Sequence, residues 1–457
     1  MKAELSLVNK WAQQSPSLYA LETPEKGYTW LELAEKVQRL AASLGKQGVS
    51  KGDVVTCVAK NSPQLLLLYL ACLEQGAICA LTMPQSESEL KSKLATLYVN
   101  PDNAYLWSDK GTPVPTAGYH VQVSELEIED WHSQYQNKSI ASIVFTSGST
   151  GIPKAVAHTS QQHLASAQGL LEKFHFQQDD TWLLSLPMYH VSGLAIVYRW
   201  LATGATLKIG TGNLSEDISD VSHASLVATQ LKRLLDSSET LTLSHVLLGG
   251  SHVPLELSQQ AAERGIETWL GYGMTEAAST VTAKQIDAVY SAGSVLPKRL
   301  VKLDGQRIYI GGDTLASGYY KQGVLTPIAE NGWFDSKDLG QWLGDELVII
   351  GRADNQFISG GENIHCEEIE AALNQLEAIQ QAIIVPIEDD EYGHRPVAVV
   401  QCQVSPDEIE IESLLKTKLA KFKWPIAYYQ MPEELLGGGI KISRQQVKDW
   451  LNKQRNK

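Results

Sequence analysis

Apolar positions near the start of the chain follow a helical spacing and then give way to short runs that are apolar throughout. Residues 29–45 open with Thr-Trp-Leu-Glu, a capping-box pattern, carry apolar residues three or four positions apart, and end at a glycine. Such a segment predicts an amphipathic helix. The run VVTCVA, the proline-started segment PQLLLLYLACLEQG and the run AICALTM follow in that order. They predict strand, helix and strand, the alternation that builds parallel sheets covered by helices.

The same rhythm returns in the middle of the chain, with AVAHT as a strand, a helix over about 160–174 and the apolar run WLLSLPM. Near residue 351 the pattern changes, because ELVIIGRADNQFISGGENI places two strand-like segments around a polar, glycine-rich hinge. Shorter elements are predicted beyond it: a helix over 366–376, strands over 381–387 and 396–402, and a helix over 407–420.

These patterns predict an α/β fold with two domains. A large N-terminal domain of helix-covered, mainly parallel sheets is expected over residues 1–351. A small α+β C-terminal domain is expected over residues 352–457, with the boundary within Gly351–Asn355. A chain of 457 residues is too long for one compact core, which agrees with this division.

Composition excludes several classes of protein. The formal net charge is −14, and no clustered basic surface is evident, which argues against a nucleic-acid binder. The five cysteines form no CxxC pair, so neither a disulfide framework nor a zinc site is indicated, and a reducing cytoplasm fits best. The N-terminus lacks the apolar core of a secretory signal, and the longest apolar run, Leu65–Leu73, is too short for membrane insertion.

A loop rich in glycine and hydroxyl residues lies between two predicted strands and suggests a phosphate site. Its sequence, IVFTSGSTGIPKAVAHT, fails the Walker A order, because no glycine and lysine follow at the required spacing. Free backbone N–H groups, hydroxyls and one ammonium still suit a polyphosphate, whereas a plain surface turn has no need of the lysine. The candidate phosphate-binding residues are Thr146, Ser147, Gly148, Ser149, Thr150, Gly151 and Lys154.

This loop and six further motifs resemble the adenylate-forming superfamily, which contains acyl-CoA synthetases, adenylation domains and luciferases. The motifs are TSGSTGIPK, PMYHVSG, LLGGS, GYGMTE, WFDSKDLG, GRADNQFISGGENI and GIKISR, in the order typical of that superfamily. The resemblance implies that a carboxylate attacks the α-phosphate of ATP in the presence of Mg²⁺. Pyrophosphate leaves, and the acyl adenylate is then captured by the thiol of CoA.

The resemblance also assigns roles to individual residues in the nucleotide site. Thr275 would bind an α-phosphate oxygen, Glu276 would bind Mg²⁺, and Asp338 would accept hydrogen bonds from both ribose hydroxyls beside Arg352. Adenine would be flanked by Tyr272 and by a set of small residues whose backbones allow close approach, namely Gly249, Gly250, Ser251, Gly271 and Gly273.

Further roles concern the second half-reaction. Lys441 would be a catalytic lysine that bridges the attacking carboxylate and the α-phosphate. Asp354 would be the hinge, and rotation of the small domain would bring Ser359, Gly360, Gly361 and Glu362 beside a tunnel for CoA. His190 would gate this tunnel or touch the acyl pocket; a packed histidine is the equal alternative.

The acid is indicated by one arginine in an apolar segment. In GLAIVYRWLATGATL, a helix over 193–203 places Arg199 among alanines. A second carboxylate on the substrate would supply its partner, although internal pairing or an exposed guanidinium is equally compatible. The segments VYRWLATGATL and YGMTEAASTVTAK resemble those of bacterial 2-succinylbenzoate CoA ligases of menaquinone biosynthesis. By this resemblance Arg199, Ser279 and Thr280 hold the carboxylate that is not activated, and the partner is an aromatic dicarboxylic acid.

Other functions remain open at this level. Another aryl or short-chain acid CoA ligase would use the same motifs. A peptide-synthetase adenylation module is disfavoured because the chain ends at Lys457 without a carrier domain. A non-catalytic nucleotide-binding regulator would be expected to lack Lys441, Glu276 or Asp338, and all three are present. A P-loop phosphotransferase is disfavoured by the failed Walker spacing. A homo-oligomer is compatible with the sequence.

Overall fold

The fold was analysed in a computed structural model. It describes residues 4–125, 131–146, 153–237, 240–249, 253–359, 362–376, 378–406, 409, 411, 415–416, 418–436 and 442–455. The helices are α1 Leu7–Gln14, α2 Trp30–Lys46, α3 Pro63–Gln75, α4 Glu87–Leu97, α5 Ser160–Leu171, α6 Val191–Thr203, α7 Leu214–Asp217, α8 Ala228–Asp236, α9 Leu255–Glu263, α10 Cys366–Leu373, α11 Glu433–Leu436 and α12 Arg444–Arg455. Short 3₁₀ turns lie at Pro101–Asn103, Thr275–Ala277, Ala353–Asn355 and Lys421–Lys423.

The strands alternate with these helices in the first half of the chain and follow one another more directly in the second. In chain order they are β1 Tyr19–Glu22, β2 Gly27–Thr29, β3 Val54–Val58, β4 Ile78–Thr82, β5 Tyr105–Ser108, β6 Tyr119–His120, β7 Ile140–Thr146, β8 Lys154–Thr159, β9 Thr181–Leu183, β10 Thr206–Lys208, β11 His223–Leu226, β12 His245–Gly249, β13 Glu267–Met274, β14 Ser279–Gln285, β15 Ser294–Val295, β16 Arg299–Asp304, β17 Arg307–Gly312, β18 Gly318–Lys321, β19 Val324–Thr326, β20 Trp333–Leu343, β21 Glu346–Arg352, β22 Gln356–Ser359, β23 Glu362–His365, β24 Ile379–Asp389, β25 Gly393–Cys402 and β26 Tyr428–Gln430.

Two large sheets form the N-terminal part. The smaller one has the strand order β19-β18-β8-β7-β4-β3-β5-β6, and the larger one runs β16-β17-β20-β21-β15-β14-β13-β12-β11-β9-β10-β1-β2. Both sheets have a parallel part that helices cover. It comprises β7-β4-β3-β5-β6 in the smaller sheet and β13-β12-β11-β9-β10-β1 in the larger one. The remaining strands of these two sheets pair antiparallel, and short turns join some of these neighbours, such as β16–β17 and β20–β21. The α/β class is therefore confirmed, and the parallel character belongs to the helix-covered halves.

The local signals that predicted helices are satisfied in the described structure. Thr29 caps α2 in a full capping box, in which the Glu32 carboxylate accepts from the Thr29 N–H at 2.7 Å. Helix α6 ends at Gly204, whose φ of 71° suits glycine and whose position leaves no room for a Cβ beside the Trp11 ring. The helix predicted over 160–174 ends at Leu171, one turn early.

The core is shared between the two large sheets, and the helices α2, α3 and α6 lie in it. Trp30 of α2 stacks on Trp200 of α6 with ring centroids 5.1 Å apart, and both side chains are fully buried. Helix α3 is buried along nearly its whole length, which explains why its sequence is apolar on every face. Helix α6 is buried in the same way, so a charged residue within it is exceptional.

A third sheet forms the smaller C-terminal part, with the order β23-β22-β25-β24 and β26 added beside β25. Helix α10 packs on it over an apolar cluster that includes Ile369, Leu373 and Ile384. The turn Ala353–Asn355 connects it to β21, which belongs to the large sheet. The helix predicted over 407–420 falls largely outside the described residues. No helix in the part of the chain that the structure describes is long and apolar enough to cross a membrane.

Candidate active site

The phosphate-loop motif sits where the sequence predicted, between two strands of the smaller sheet. Strand β7 ends at Thr146 and β8 begins at Lys154, and these two residues face each other in the antiparallel register. The Lys154 ammonium lies 5.0 Å from the centre of the Tyr319 ring. The candidates Ser147, Gly148, Ser149, Thr150 and Gly151 lie outside the described residues.

The Thr-Glu pair lies in a 3₁₀ turn directly after β13. Thr275 and Glu276 open this turn, and the Tyr319 hydroxyl donates to Glu276 Oε1 at 3.2 Å. Burial raises the pKa of Tyr319, and the Glu276 carboxylate raises it further, so this phenol stays protonated and serves as a donor. Tyr319 therefore contacts both the phosphate-loop lysine and the candidate metal-binding carboxylate. No sequence signal had marked Tyr319, which lies on β18.

A second group brings the predicted ribose and adenine residues together. The buried Asp338 accepts a hydrogen bond from the Tyr272 hydroxyl at 2.6 Å and one from Arg352 Nη1 at 3.0 Å. Burial and the Asp338 charge raise the pKa of Tyr272 well above its ordinary value. Arg352 also forms a two-pronged contact with Asp354, through Nε at 2.8 Å and Nη2 at 3.0 Å. The candidate ribose acceptor is thus held from two sides by charge-assisted hydrogen bonds.

The glycines near this group allow the strands to approach closely. Gly249 and Gly271 face each other across the parallel pair β12–β13. At Gly273 an added Cβ would lie 1.7 Å from the Ser279 carbonyl oxygen, so only glycine fits there. The candidates Gly250 and Ser251 lie outside the described residues.

Arg199 is buried in α6 without a carboxylate partner. Only 3% of Arg199 is exposed. No carboxylate of the residues that the structure describes lies within 4.0 Å of its guanidinium. Arg199 Nη2 donates to Thr280 Oγ1 at 3.4 Å, its guanidinium carbon lies 5.2 Å from the centre of the Trp182 ring, and its Nε has no partner in the described structure. Burial of Arg199 rules out the exposed guanidinium, and no internal ion pair of Arg199 is formed with the described residues.

The electrostatics of Arg199 follow from that burial. Desolvation and, to a smaller extent, the nearby Arg299 cation together lower the pKa of Arg199 to about 9. A buried cation in this condition would be stabilised by an anion bound beside it. Thr280 is buried next to it on β14, and Ser279 precedes Thr280 in a left-handed conformation, with φ of 90°.

His190 occupies the N-cap position of α6, the helix that carries Arg199. Its ring packs edge-on against Tyr189 with centroids 4.8 Å apart, and the residue is partly exposed. This position is compatible with both readings of the sequence, a gating histidine and a packed one.

The C-terminal candidates lie on the third sheet. Ser359 ends β22 with its side chain buried, and it faces the exposed Glu362 across the hairpin to β23. Gly360, Gly361 and Lys441 lie outside the described residues. Arg444, three positions after Lys441, is anchored by Glu370 through Nη1 at 2.5 Å and Nη2 at 3.0 Å.

Among the described residues, the candidate site offers Mg²⁺ the Glu276 carboxylate rather than a set of several protein ligands. In the described ranges no group of three or more His, Cys, Asp or Glu side chains could hold a metal ion. Mg²⁺ in nucleotide enzymes is typically held by one or two carboxylates, phosphate oxygens and water. The half-buried Glu276 carboxylate, which contacts Tyr319 as the phosphate-loop lysine also does, fits that mode.

Comparisons with known proteins agree with this arrangement. The family model of AMP-binding enzymes matches residues 8–96 and 91–320, and that of the AMP-binding enzyme C-terminal domain matches residues 368–435. The chain is 40% identical over 447 residues to 2-succinylbenzoate--CoA ligase of Escherichia coli K12, covering 97% of this chain and 98% of that protein. It is 42% identical over 434 residues to the ligase of the same name from Haemophilus influenzae, covering 93% of each.

Solved structures give the same result. E. coli MenE with bound OSB-AMS, a point variant, has a TM-score of 0.91 at 38% identity, covering 99% of this chain and 100% of that one. Bacillus subtilis o-succinylbenzoate CoA synthetase in complex with the acyl-adenylate intermediate OSB-AMP has a TM-score of 0.82 at 26% identity, covering 96% and 99%. The same enzyme with ATP and magnesium ion has a TM-score of 0.80 at 26% identity, covering 93% and 95%.

Proposed function

The chain belongs to the AMP-binding enzyme family, and on that premise we propose that it joins 2-succinylbenzoate to coenzyme A at the expense of ATP. One carboxylate of the acid attacks the α-phosphorus of ATP, and the bond to pyrophosphate breaks. The CoA thiol then attacks the acyl carbon of the adenylate, and AMP leaves. The product, 2-succinylbenzoyl-CoA, is an intermediate of menaquinone biosynthesis.

The observation that carries the choice of acid is the buried guanidinium of Arg199, which has no carboxylate partner among the described residues. A monocarboxylic acid whose only carboxylate reacts at the α-phosphorus leaves this cation without a partner, and an uncompensated buried charge is costly. A dicarboxylic acid supplies the second anion, with Thr280 beside Arg199 as a further donor at 3.4 Å from Nη2. The long Arg199–Thr280 contact leaves both groups able to reorient toward a carboxylate.

The nucleotide is bound by groups from three elements. Lys154, with the hydroxyls and amides of the loop before it, binds the β- and γ-phosphates. The Asp338 carboxylate takes the ribose hydroxyls, and Arg352 and Tyr272 fix its orientation. The hydrogen bonds from Tyr272 and Arg352 hold the Asp338 carboxylate in place as an acceptor, which is what the ribose hydroxyls require.

Glu276 would hold Mg²⁺, and Thr275 beside it would donate to the α-phosphate. The metal, when bound, neutralises charge on the phosphates and the leaving pyrophosphate. Tyr319 orients the Glu276 carboxylate by donating a hydrogen bond to its Oε1. The reaction therefore needs positioned charge more than a nucleophilic side chain.

The small domain is proposed to serve the two half-reactions in turn. Lys441 would reach the α-phosphate during adenylation, and rotation near Asp354 would then place Ser359–Glu362 beside the CoA tunnel. The domain limit at residue 351 is supported by the end of β21 at Arg352 and the 3₁₀ turn that follows it. The Arg352–Asp354 contact ties the hinge residue to the ribose acceptor in this domain orientation.

The cytoplasm is the proposed location, because ATP and CoA are both available there. A homo-oligomer remains a prediction, which light scattering of the purified protein would test.

Two monoacids test the assignment of the substrate, because each lacks one carboxylate of 2-succinylbenzoate. They are 4-oxo-4-phenylbutanoate, without the ring carboxylate, and 2-butanoylbenzoate, without the chain carboxylate. Formation of AMP, pyrophosphate and thioester would be measured for all three acids, with benzoate and hexanoate as general acids. We expect efficient turnover of the dicarboxylate alone. Comparable turnover of benzoate or hexanoate would instead identify an aryl or short-chain acid ligase, and absence of pyrophosphate with every acid would refute ligase activity.

A further inference from the structure

The segment between the candidate metal ligand and the acid-binding threonine has an unusual backbone. Ala278 and Ser279 both lie in the left-handed region, with φ of 50° and 90°, although neither is glycine. Residues with side chains adopt this region rarely, and consecutive ones need support from their surroundings. The segment sets the distance between Glu276 and Thr280, so whatever holds it also sets the geometry of the acid site.

Arg299 provides that support from β16. Its guanidinium is buried and donates only to oxygens that carry no full charge: Thr280 O from Nε at 2.9 Å, Ser166 O from Nη2 at 2.7 Å, Ser166 Oγ from Nη2 at 2.8 Å, Pro297 O from Nη1 at 2.8 Å and Ala165 O from Nη1 at 3.5 Å. These acceptors belong to three separate segments of the chain. The planar, five-donor guanidinium is the side chain suited to joining them.

Ser166 extends the contact to the other end of the strained segment. Its hydroxyl accepts from Arg299 and donates to the Ala278 carbonyl oxygen at 2.5 Å. The carbonyl groups of Ala278 and Thr280 are thereby tied to one buried guanidinium, one directly and one through a hydroxyl. The Ala278–Ser279 and Thr280–Val281 peptide groups, which lie before and after the strained Ser279, are fixed in this way.

Helix α5 makes room for this arrangement at Gly169. An added Cβ there would lie 2.1 Å from Arg299 Nη1 and 2.2 Å from the Pro297 carbonyl oxygen. Gly169 is inside the helix, where glycine is unfavourable by itself. The close approach of the guanidinium gives a physical reason for it.

We propose that Arg299 is a positioning residue for substrate specificity: it holds Ala278–Thr280 so that Thr280 and Arg199 together receive the second carboxylate of the acid. The inference rests on the proposed function and adds a residue to its acid site. Arg299 does not touch the substrate in this account; it acts through the backbone of Thr280. No carboxylate of the described residues lies within 4.0 Å of Arg299 either, so Thr280 stands between two cations that lack anionic partners.

The test compares Arg299→Lys with wild type in the pyrophosphate-release assay. Lysine keeps the positive charge but lacks the planar, five-donor guanidinium. We therefore expect KM for 2-succinylbenzoate to rise about tenfold, while KM for ATP stays within about twofold. The preference for 2-succinylbenzoate over 4-oxo-4-phenylbutanoate, as a ratio of kcat/KM values, should fall by about the same factor. Arg307→Lys is the matched control, because Arg307 pairs with Asp335 on the neighbouring strand, away from the acid site.

A second variant separates a loss of positioning from a general folding defect. Ser166→Ala removes only the hydroxyl that holds Ala278, and we expect a rise of about threefold in KM for the dicarboxylate without a change in KM for ATP. Unchanged acid KM and unchanged preference in both variants would overturn the inference, as would equal losses for acid and ATP. Absence of turnover of 2-succinylbenzoate by wild type would refute the proposed function instead, and the same KM comparison would then use the acid that wild type does activate.

Discussion

Replacing Arg199 by methionine should make the ligand-free protein more stable and its acid site less selective. Burial and, to a smaller extent, the Arg299 cation lower the pKa of Arg199 from its ordinary value to about 9, which corresponds to about 5 kcal/mol of unfavourable free energy for the charged form in the folded state. Arg199→Met removes that contribution and also the contact with the Trp182 ring and the long hydrogen bond to Thr280, together about 1.5 kcal/mol. The net gain is roughly 3 kcal/mol, or about 5 °C in Tm for a domain of this size.

The stability difference between wild type and Arg199→Met should depend on pH, and this dependence tests whether the buried charge is its cause. Arg199 has a lowered pKa in the folded state, so its destabilising effect is complete below pH 9. The destabilising effect declines as pH rises above about 9 toward the higher pKa of the unfolded chain, because Arg199 then loses its proton first in the folded protein. Thermal unfolding of wild type and Arg199→Met at pH 7 and pH 10 should therefore show a gap in Tm that narrows at the higher pH.

Substrate preference should decrease in Arg199→Met, whereas stability should increase. A charge-assisted contact to the second carboxylate contributes about 2 to 3 kcal/mol, so the preference for 2-succinylbenzoate over 4-oxo-4-phenylbutanoate should fall about 30- to 150-fold. Arg307→Met is the control for stability, since it breaks an ion pair in which Arg307 Nε lies 2.7 Å from Asp335 Oδ1. An Arg199→Met protein with lower Tm and intact preference would refute the reasoning on both counts.

Three further substitutions test the nucleotide and metal sites and the small domain. Tyr272→Phe removes the 2.6 Å hydrogen bond to Asp338 and should raise KM for ATP about fivefold, with KM for the acid unchanged in the same assay. Glu276→Gln removes the carboxylate proposed for Mg²⁺, so the Mg²⁺ concentration for half-maximal pyrophosphate release should rise at least about tenfold; an unchanged Mg²⁺ titration would contradict the assignment. Lys441→Ala should abolish adenylate formation and spare thioester formation from supplied acyl adenylate; equal losses in both half-reactions would argue against alternating domain positions.

Much of the candidate site could be found from the sequence because its residues occur in short contiguous motifs. The Thr-Glu pair, the ribose aspartate and Lys154 were identified in this way, and the structure brings Tyr272, Asp338 and Arg352 together as hydrogen-bonded neighbours. The family and the proposed ligase reaction agree with the relatives. The assigned roles of single residues stay predictions that the experiments above address.

Other residues of the site carried no sequence signal. Tyr319 contacts Glu276 across 43 positions, and Arg299 contacts Ser166 across 133 positions. Neither residue lies in a glycine-rich loop or a charged motif, and each would be ordinary in an exposed strand. The extent of the antiparallel strands after β14 was also not predicted, because short strands joined by turns lack the helix-and-strand alternation that marks a parallel sheet.

The sequence by itself determined the α/β class, the starts and ends of helices such as α2, and the chemistry of a nucleotide site, because capping, periodicity and motif spacing are local properties. The tertiary structure decided that Arg199 is buried without a carboxylate partner and that Arg299 holds the strained segment beside Thr280. Those facts depend on which strands and helices pack around each guanidinium. Burial and counter-charge are set by contacts between distant parts of the chain, and no local pattern encodes them.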